Sequence, residues 1–556
     1  MKANHEIAKE FTAKPIAEIA KLLGVQEQDI LFFGRDIAKI HLNALKKSRS
    51  NPKPNKLILI SATTPTAAGE GKTTTTIGLG QAFTQLGESV CLALREPSLG
   101  PCLGVKGGAT GGGYSQIMPA DRINLHFTGD FHAITTVNNL IAASLGNHIY
   151  QGNELNIDSR QITWRRVMDM NDRSLRHIML GLGGKTQGTP REGGFDITAA
   201  SEVMAMLCLA NDMQDLRTRL DRTLIAYTFD DKPIYVKDLE ITGALMALLR
   251  EAMHPNLVQA FEGTPVFVHG GPFANIAHGC NSVLATRMAM HFSEWTITEA
   301  GFGFDLGAEK FFDIKCRTAG LDPDVVVLVT TIRALKLHGG KNKSQLDQKD
   351  VEAVTMGLAN LDKHIENVAK FNKVPVVALN RFYSDTDEEI AVVKQRAEYH
   401  GVYFAESRHF AEGGKGAIDL AKKVMEAASK SQPYKPLYPL EMAVNEKIKT
   451  ICKEIYGADD VSFTKDAEKD LRHIKNLGLE HLPVCIAKAP SSLSDDPSLH
   501  GRPRDFQVTV RGIEINTGAG FLVVLTGNIL RMPGLPKDPM AKHIDLLPDG
   551  TIVGVG

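Results

Sequence analysis

Short apolar runs recur along the chain and predict the strands of a parallel sheet. Several runs are continuous rather than alternating with polar residues, as is typical of strands covered on both faces. Helix-periodic segments lie between them, so the pattern indicates an α/β fold with a doubly wound parallel core. The predicted strands are Leu57–Ile60, Val90–Leu94, Val266–Val268, Trp295–Thr298, Val325–Val329 and Val376–Leu379.

Helical periodicity and turn residues predict the remaining elements. Residues 1–56 have a helical pattern, in which Pro15 begins a helix and Gly24 ends it. A long helix is predicted over Gln345–His364, with Ser344 as its cap. Towards the C-terminus the pattern predicts the helices Leu440–Tyr456 and Ala467–Leu477 and the short strands Phe506–Val510, Ile513–Ile515 and Phe521–Leu525.

The strand–helix rhythm divides the chain into three predicted domains. It weakens over residues 119–239, which are rich in Arg, Asn and Asp, and we interpret them as a second domain inserted into the first. The first domain then comprises residues 1–118 plus 240–365 and carries a P-loop-type parallel sheet. Residues 366–556 form the third domain, and both additional domains are expected to be α/β or α+β.

Composition disfavours several classes of partner. The 556 residues include 63 Lys and Arg against 64 Asp and Glu, so net charge does not favour nucleic acid or an anionic membrane. No apolar run approaches the roughly 20 residues that cross a bilayer, and the N-terminal residues lack the apolar core of a signal peptide. Seven cysteines without a C-x-x-C pair suit a reducing compartment, so the sequence predicts a soluble, cytoplasmic protein.

The segment over residues 57–80 has the order strand, glycine-bearing loop, helix. Backbone N–H groups at a helix N-terminus, next to small residues, form a cradle for phosphate oxygens. Lys72 is placed to reach the outer phosphates, and the Thr73 hydroxyl is placed to reach a bound magnesium ion. The usual motif has glycine five residues before Gly71, where this chain has Thr66, so we predict an atypical phosphate loop that binds a nucleoside triphosphate.

Charged residues and glycines gather beyond the second strand. Arg95 and Glu96 fall at its carboxyl end, where open α/β sheets bind their ligands. The Arg95 guanidinium offers a planar fork of donors for a phosphate or carboxylate. Lys106 and the glycine-rich stretch 107–113 are placed to close over the same anion. A surface ion pair beside a flexible loop is the alternative, but this concentration of residues at one strand end favours a binding site.

Two histidines and an aspartate lie close together in the chain at His126, His132 and Asp130. Such groups act as general acids or bases near neutral pH. A metal site is a further interpretation, although the spacing matches no standard ligand pattern. An ordinary polar loop is equally compatible with these residues.

Three more glycine-bearing loops occur at residues 191–202, 269–281 and 298–307. The last two follow predicted strands. Loops that follow successive parallel strands are expected to meet at one edge of the sheet, so they predict one large site.

Together these segments resemble the formate–tetrahydrofolate ligase family. The matching strings run in family order from about residue 55 onward. They cover residues 66–73, 94–101, 111–116, 124–130, 191–199, 267–281, 299–307, 379–382 and 531–536.

The resemblance implies a ligase reaction in two steps. Formate attacks the γ-phosphate of ATP to give formyl phosphate and ADP, and N10 of tetrahydrofolate then attacks the formyl carbon and expels phosphate. ATP with Mg²⁺ is implied as the cofactor and tetrahydrofolate as the co-substrate, and a monovalent cation, K⁺ or NH₄⁺, is also implied. The family further implies a homotetramer with formate, ATP and tetrahydrofolate as its small-molecule partners.

The resemblance also assigns candidate catalytic residues, which are Lys72, Arg95, Asp130 and His126. Arg95 matches the arginine associated with formyl phosphate, and Asp130 matches an aspartate near the attacking nitrogen. The roles of His126, His132 and His269 stay open. The phosphate loop maps onto Thr66, Ala67, Ala68, Gly69, Glu70, Gly71, Lys72 and Thr73, with Thr73 on the metal.

The folate pocket of the family matches Asn380, Phe382 and Phe410 in the predicted third domain. In the family two aromatic rings sandwich the pterin. Phe382 supplies one of them, and Phe410 stands where tryptophan is common. Phenylalanine stacks over less area and has no indole N–H, so weaker pterin binding is expected.

Two other activities are compatible with the residues alone. One is an acyl-phosphate ligase of the dethiobiotin synthetase kind that activates a different small acid. The other is a nucleotide-controlled switch or partitioning ATPase, although the additional glycine loops and the near-zero net charge disfavour it. A disabled homologue is disfavoured because Lys72, Thr73, Arg95 and Asp130 are all present.

Overall fold

A twelve-stranded sheet forms the centre of the protein, for which the computed structural model describes residues 2–47, 55–527 and 529–555. Seven consecutive strands of this sheet are parallel to one another, and all six strands predicted from apolar runs are among them. In spatial order these strands are Pro265–Val268, Val90–Leu94, Trp295–Glu299, Lys56–Ala62, Val325–Thr330, Pro375–Asn380 and Tyr403–Ser407.

Both faces of the central parallel strands are buried. Along the central strand, Leu57 and Leu59 pack in one hydrophobic core, while Ile58 and Ile60 pack in another. Because side chains alternate between the two faces, such a strand must be apolar at every position, which explains the continuous runs. The helices Lys72–Gln85 and Ile418–Ala428 cover one face, and Ile332–His338, Val351–Lys370 and Asp387–Tyr399 cover the other.

The N-terminal residues add antiparallel strands to one edge of this sheet. The helical pattern predicted for residues 1–56 is wrong over the strands Ile30–Phe32 and Ala38–Ile40, which pair with each other. Strands of three residues are too short for their alternation to be distinguished from helical periodicity. Residues 1 and 48–54 of that prediction lie outside the described residues. The helices here are Asn4–Ala8 and Ile16–Leu22, and the edge is completed by the strands Gly111–Gly112, Ser115–Met118 and Asn256–Ala260.

Residues 119–239 form several small sheets and helices. Their hydrophobic core includes Phe521 and Val523, so this segment packs against the C-terminal sheet. The helices are Ala120–Asn124, Asp130–Tyr150, Glu202–Leu209 and Met213–Asp221. The strands are Ile157–Ile162, Arg166–Met168, Ile178–Leu180, Arg191–Gly193, Phe195–Ile197, Leu224–Thr228 and Pro233–Tyr235.

The C-terminal region begins within the main sheet. The strands Pro375–Asn380 and Tyr403–Ser407 pair there, whereas the sequence placed them in the third domain. The division into three domains itself stays a prediction. Beyond residue 440 the predicted helices are confirmed as Val444–Ile451, which continues over Cys452–Tyr456, and as Lys465–Asn476. The predicted strands are confirmed as Gln507–Val510, Gly512–Asn516 and Phe521–Leu525. Two additional strands are Asp460–Phe463 and Val484–Ala487.

The long helix predicted over Gln345–His364 begins at Val351 and ends at Lys370. Its cap is Asp350, whose carboxylate accepts a hydrogen bond from the Ala353 amide at 2.8 Å. The prediction of Ser344 as the cap is therefore wrong. Serine and aspartate cap helices about equally well, so the residue types did not distinguish the two starting points.

All seven cysteines are buried and free. Burial raises the pKa of the Cys102 thiol to about 12, so this thiol stays protonated and unreactive near neutral pH. Across the described ranges, no helix has the length and apolar character needed to cross a membrane.

Candidate active site

The glycine-bearing loops meet at the carboxyl edge of the parallel strands. The 269–281 loop accepts a backbone hydrogen bond from Glu96 at 2.9 Å and another from Gly301 at 3.0 Å. Its Phe273 amide donates to the Ala199 carbonyl at 3.0 Å. Loops that are far apart in the chain are therefore joined directly, and their predicted convergence is confirmed.

The glycine loop, which we define as residues 63–71, joins the strand Lys56–Ala62 to the helix Lys72–Gln85. Gly69 and Gly71 have φ values of +80° and +76°, a region that glycine adopts without strain. Residues 67–69 are exposed and form the apex of the loop. The first N–H groups of the helix have no partner within the helix, so this turn presents donors to an anion.

Two buried side chains fix the shape of the glycine loop. The Glu70 carboxylate accepts hydrogen bonds from the Thr66 amide at 2.7 Å and from the Thr331 hydroxyl. Asn380 Nδ2 donates to the Glu70 carbonyl at 3.1 Å. A Cβ atom at Gly71 would lie 2.5 Å from that nitrogen, which explains why glycine stands there. The Glu70 carboxylate and Asn380 Nδ2 thus form hydrogen bonds that hold the loop itself.

Three cations, Lys72, Arg95 and Lys106, lie near one buried carboxylate at the start of the helix. We call this group the cationic site. The Glu299 side chain, 4% exposed, accepts a hydrogen bond from Thr73 Oγ1 at 2.8 Å and lies 3.7 Å from the Arg95 guanidinium. Burial above all, together with Arg95 and Lys106 and against the opposing charge of Glu299, lowers the pKa of Lys72 to about 8. Arg95 Nε is buried and has no hydrogen-bond partner among the described residues. Cations held this close together create a site that favours a polyanion.

Asp130 is the first residue of the helix Asp130–Tyr150, and it is buried. Its Oδ1 accepts from Lys39 Nζ at 2.7 Å, and its Oδ2 accepts from Asn256 Nδ2 at 2.8 Å. Burial and the neighbouring Asp130 raise the pKa of Glu96 well above its usual value. The Asp130 carboxylate is therefore fixed in orientation and paired with an ammonium group.

The histidines of the predicted site have different surroundings. His126 and His132 are exposed, one before and one within the first turn of the helix Asp130–Tyr150. His269 is buried, with its ring nitrogens 2.7 Å from a serine hydroxyl and 2.6 Å from a backbone carbonyl. Burial lowers the pKa of His269 to about 4, so it is a neutral packing residue. In the described part of the chain no hydrogen bond or ion pair joins His126 to the cationic site.

The two phenylalanines matched to the pterin lie on separate loops. The Arg333 guanidinium lies 4.6 Å from the centroid of the Phe382 ring, so only the opposite face of that ring is left for a stacked ligand. Phe410 is 38% exposed. It follows His409, whose Nε2 is 3.3 Å from the Thr75 hydroxyl on the helix of the glycine loop. The segment that carries Phe410 is therefore connected to the helix that follows the glycine loop.

The Thr73 hydroxyl and the Glu299 carboxylate fit a magnesium ion. Mg²⁺ prefers hard oxygen ligands and commonly binds to one or two protein groups together with substrate phosphates and water. Over the ranges that the structure describes, no group of three or more His, Cys, Asp and Glu side chains is suited to a metal. Thr73 and Glu299 would therefore hold a magnesium ion only together with phosphate oxygens of a bound substrate.

Two residues of the site were not singled out from the sequence. Lys39 lies in the strand Ala38–Ile40, where all three residues are buried. A charged residue in such an apolar stretch indicates a buried partner of opposite charge, so the sequence pattern could have identified Lys39. Glu299 ends the strand Trp295–Glu299 at the same edge of the sheet as Arg95, so the rule that identified Arg95 applies to it as well.

The fold and the site define an α/β protein with a cationic site at the carboxyl edge of a parallel sheet, beside a helix N-terminus. The family model of formate–tetrahydrofolate ligase matches residues 2–556, essentially the whole chain. The chain therefore belongs to the formate–tetrahydrofolate ligase family. This family consists of ATP-dependent enzymes that ligate formate to tetrahydrofolate, and the enzyme class predicted from the sequence is confirmed.

Proposed function

We propose that the cationic site binds ATP with magnesium and formate, makes formyl phosphate, and transfers the formyl group to N10 of tetrahydrofolate. The observation that carries this proposal is the grouping of Lys72, Arg95 and Thr73 around Glu299 at the start of the glycine-loop helix. Phosphoryl transfer depends on positioning and on cations more than on covalent catalysis by the protein. These residues supply both.

In the first step a formate oxygen attacks the γ-phosphorus, and the bond to the bridging oxygen breaks to release ADP. The Thr66 and Gly69 amides are bonded within the glycine loop. The other backbone N–H groups of the loop and the Lys72 ammonium bind the phosphates of this P-loop-like site. Arg95 Nε, which has no hydrogen-bond partner among the residues that the structure describes, is suited to the charge on the transferring group. A magnesium ion held by Thr73 and Glu299 would neutralise phosphate charge.

In the second step N10 of tetrahydrofolate attacks the formyl carbon, the carbon–oxygen bond to phosphate breaks, and N10 gives up its proton. Because Asp130 is already paired with Lys39 and Asn256, its surroundings favour an orienting role over proton acceptance. His126 is an exposed candidate for the proton transfer. Phe382 and Phe410 are proposed to stack on the pterin.

Three further properties are proposed on the family resemblance. They are activation by a monovalent cation, K⁺ or NH₄⁺, assembly as a homotetramer, and a cytoplasmic location. The near-balance of 63 basic and 64 acidic residues is compatible with a freely soluble enzyme.

The proposal is tested by measuring ADP release from the purified protein with MgATP, formate and tetrahydrofolate, omitting each component in turn. We expect release to need all three and to match the amount of formylated folate formed. Release that is indifferent to formate and folate would contradict the proposal. Release that needs another small acid would favour a different acyl-phosphate ligase, and stimulation only by a macromolecule would favour a nucleotide-controlled switch.

A further inference from the structure

Thr64 lies in the buried first part of the glycine loop, and neighbouring side chains hold each of its polar groups. The Thr64 amide donates to Asn360 Oδ1 at 3.2 Å, and Asn360 Nδ2 donates to the Thr64 hydroxyl at 2.9 Å. His364 Nε2 lies 3.0 Å from that hydroxyl, and His338 Nε2 lies 2.8 Å from the Thr64 carbonyl oxygen. Thr64, Asn360 and His364 are fully buried, and His338 is nearly so.

The hydrogen-bond partners define the protonation state of His338. Its Nδ1 accepts from the Gly501 amide at 3.1 Å, so Nε2 carries the hydrogen and donates to the Thr64 carbonyl. Burial lowers the pKa of His338 to about 4, so the ring stays neutral over the working pH range and keeps both bonds. We call Asn360, His338 and His364 the clamp on Thr64, and the hydrogen-bond partners of Asn360 and His338 define the donor and acceptor roles of these two side chains.

The side chains of Asn360 and His338 also bind the C-terminal region at Gly501. Besides binding Thr64, Asn360 Nδ2 donates to the Gly501 carbonyl at 2.8 Å. The amide and the carbonyl of Gly501 are thus both bound to side chains that hold the glycine loop. A second contact of this segment is the ion pair of 2.7 Å between Lys488 and Asp305, whose side chains are both fully buried. The segment 488–501 is therefore fastened to the elements beside the loop at both of its ends.

We propose that Asn360 and His338 are positioning residues of the nucleotide site, which hold the glycine loop in its binding geometry through Thr64 and brace it against the segment 488–501. No hydrogen bond joins either residue to Lys72, Thr73 or Arg95 within the described chain, so they act through the backbone of the loop. This inference rests on the proposed function, since it assumes that the glycine loop binds the phosphates of ATP. A displacement of a binding group by about 1 Å is enough to weaken catalysis strongly.

The decisive experiment compares Asn360→Ala with Asn367→Ala. Asn367 lies on the same helix, is fully buried, and donates to the Ile455 carbonyl at 2.9 Å, outside the clamp. For Asn360→Ala we expect KM for ATP to rise about tenfold while KM for formate and for tetrahydrofolate changes less than about twofold. For Asn367→Ala we expect a lower Tm with the KM for ATP nearly unchanged.

Variants of Thr64 and His338 test the same positioning role independently. Thr64→Val removes the hydroxyl that Asn360 binds, so its effect on KM for ATP should be far from additive with that of Asn360→Ala. His338→Gln retains an amide donor and should keep ATP affinity better than His338→Ala; it also covers the case in which Asn360→Ala does not fold.

Equal shifts in KM for ATP from Asn360→Ala and Asn367→Ala would overturn the positioning role. So would full additivity of Thr64→Val with Asn360→Ala. A wild-type protein that does not release ADP in the three-component assay would overturn the proposed function instead, so the two failures are distinguishable.

Discussion

Thr73 Oγ1 donates a hydrogen bond to Glu299 Oε2 across 2.8 Å, which joins the first turn of the glycine-loop helix to the end of a neighbouring parallel strand. The two residues are 226 positions apart in the chain. Glu299 also faces Arg95, so it is the carboxylate that balances the charge of the cationic site. A hydroxyl and a carboxylate in this position would supply the protein ligands of the proposed magnesium site, with phosphate oxygens as the remaining ligands.

We predict that Glu299→Gln raises the Mg²⁺ concentration needed for half-maximal activity by at least about tenfold, because a neutral amide binds the cation more weakly than a carboxylate does. The measurement is a Mg²⁺ titration of ADP release at saturating formate and folate. The control is Glu88→Gln: Glu88 accepts from the Trp295 indole at 3.0 Å, at the other end of the same strand. An unchanged Mg²⁺ requirement in Glu299→Gln would contradict the assignment.

For Arg95→Ala we predict a fall in kcat of about 10²- to 10³-fold, which is typical of losing a donor aimed at developing charge. The fold should survive, because the Arg95 side chain is partly exposed and its ion-pair distance to Glu299 is 3.7 Å. Arg95→Lys should retain part of the activity, since lysine keeps the charge but not the planar fork. The measurements are kcat and Tm of each purified variant.

Arg287→Ala is the matched control for Arg95→Ala. Arg287 is half-buried on the helix Val283–Phe292 and donates to the Ala319 carbonyl at 2.8 Å, away from the cationic site. We expect this variant to keep its kcat. Near-normal turnover in Arg95→Ala would remove Arg95 from the proposed mechanism.

Local sequence patterns predicted the parts of the protein that local residues determine. The continuous apolar runs identified the parallel strands, because burial on both faces leaves no polar positions. Lys72 and Thr73 were found because they follow the glycine loop directly. The bonds from Thr73 to Glu299 and from Thr64 to Asn360 join residues 226 and 296 positions apart, and no local pattern encodes such pairs.

The edge strands and the supporting roles of two site residues could not be predicted from local patterns. The edge strands Ile30–Phe32 and Ala38–Ile40 have three residues each, too few for a period to show. The resemblance places Glu70 in the phosphate loop and Asn380 in the folate pocket, and the structure adds that the Glu70 carboxylate and Asn380 Nδ2 form hydrogen bonds that support the glycine loop. The distinction between contacting a ligand and supporting the residues that contact it requires the geometry.

Phe382→Ala is predicted to raise the KM for tetrahydrofolate about tenfold with little effect on the KM for ATP, because the ring is proposed to stack on the pterin and not to contact the nucleotide. The two KM values are measured separately, each at saturating levels of the other substrates. Tyr383→Ala is the control, since Tyr383 is adjacent and 80% exposed. Equal increases in both KM values for Phe382→Ala would place the pterin elsewhere.

The pH dependence of ATP binding should report the charge of Lys72. Burial lowers the pKa of Lys72 to about 8 in the free protein, and Arg95 and Lys106 act in the same direction. Lysine binds phosphate in its protonated form, so the charge is present below about pH 8 and is lost as the pH rises through that value. The Kd for ATP should then rise, approaching about tenfold per pH unit well above the pKa.

Equilibrium binding of a non-hydrolysable ATP analogue from about pH 6.5 to 9.5 measures this dependence and brackets the pKa of Lys72. Lys72→Arg is the matched control, because a guanidinium stays protonated throughout that range and should give a nearly flat profile. Phosphate binding also raises the pKa of Lys72, so the wild-type protein should take up a proton on binding near pH 8, whereas Lys72→Arg should not. A Kd that rises equally in both proteins would show that another group titrates, and Lys72 would then not be the phosphate-binding cation whose charge limits affinity.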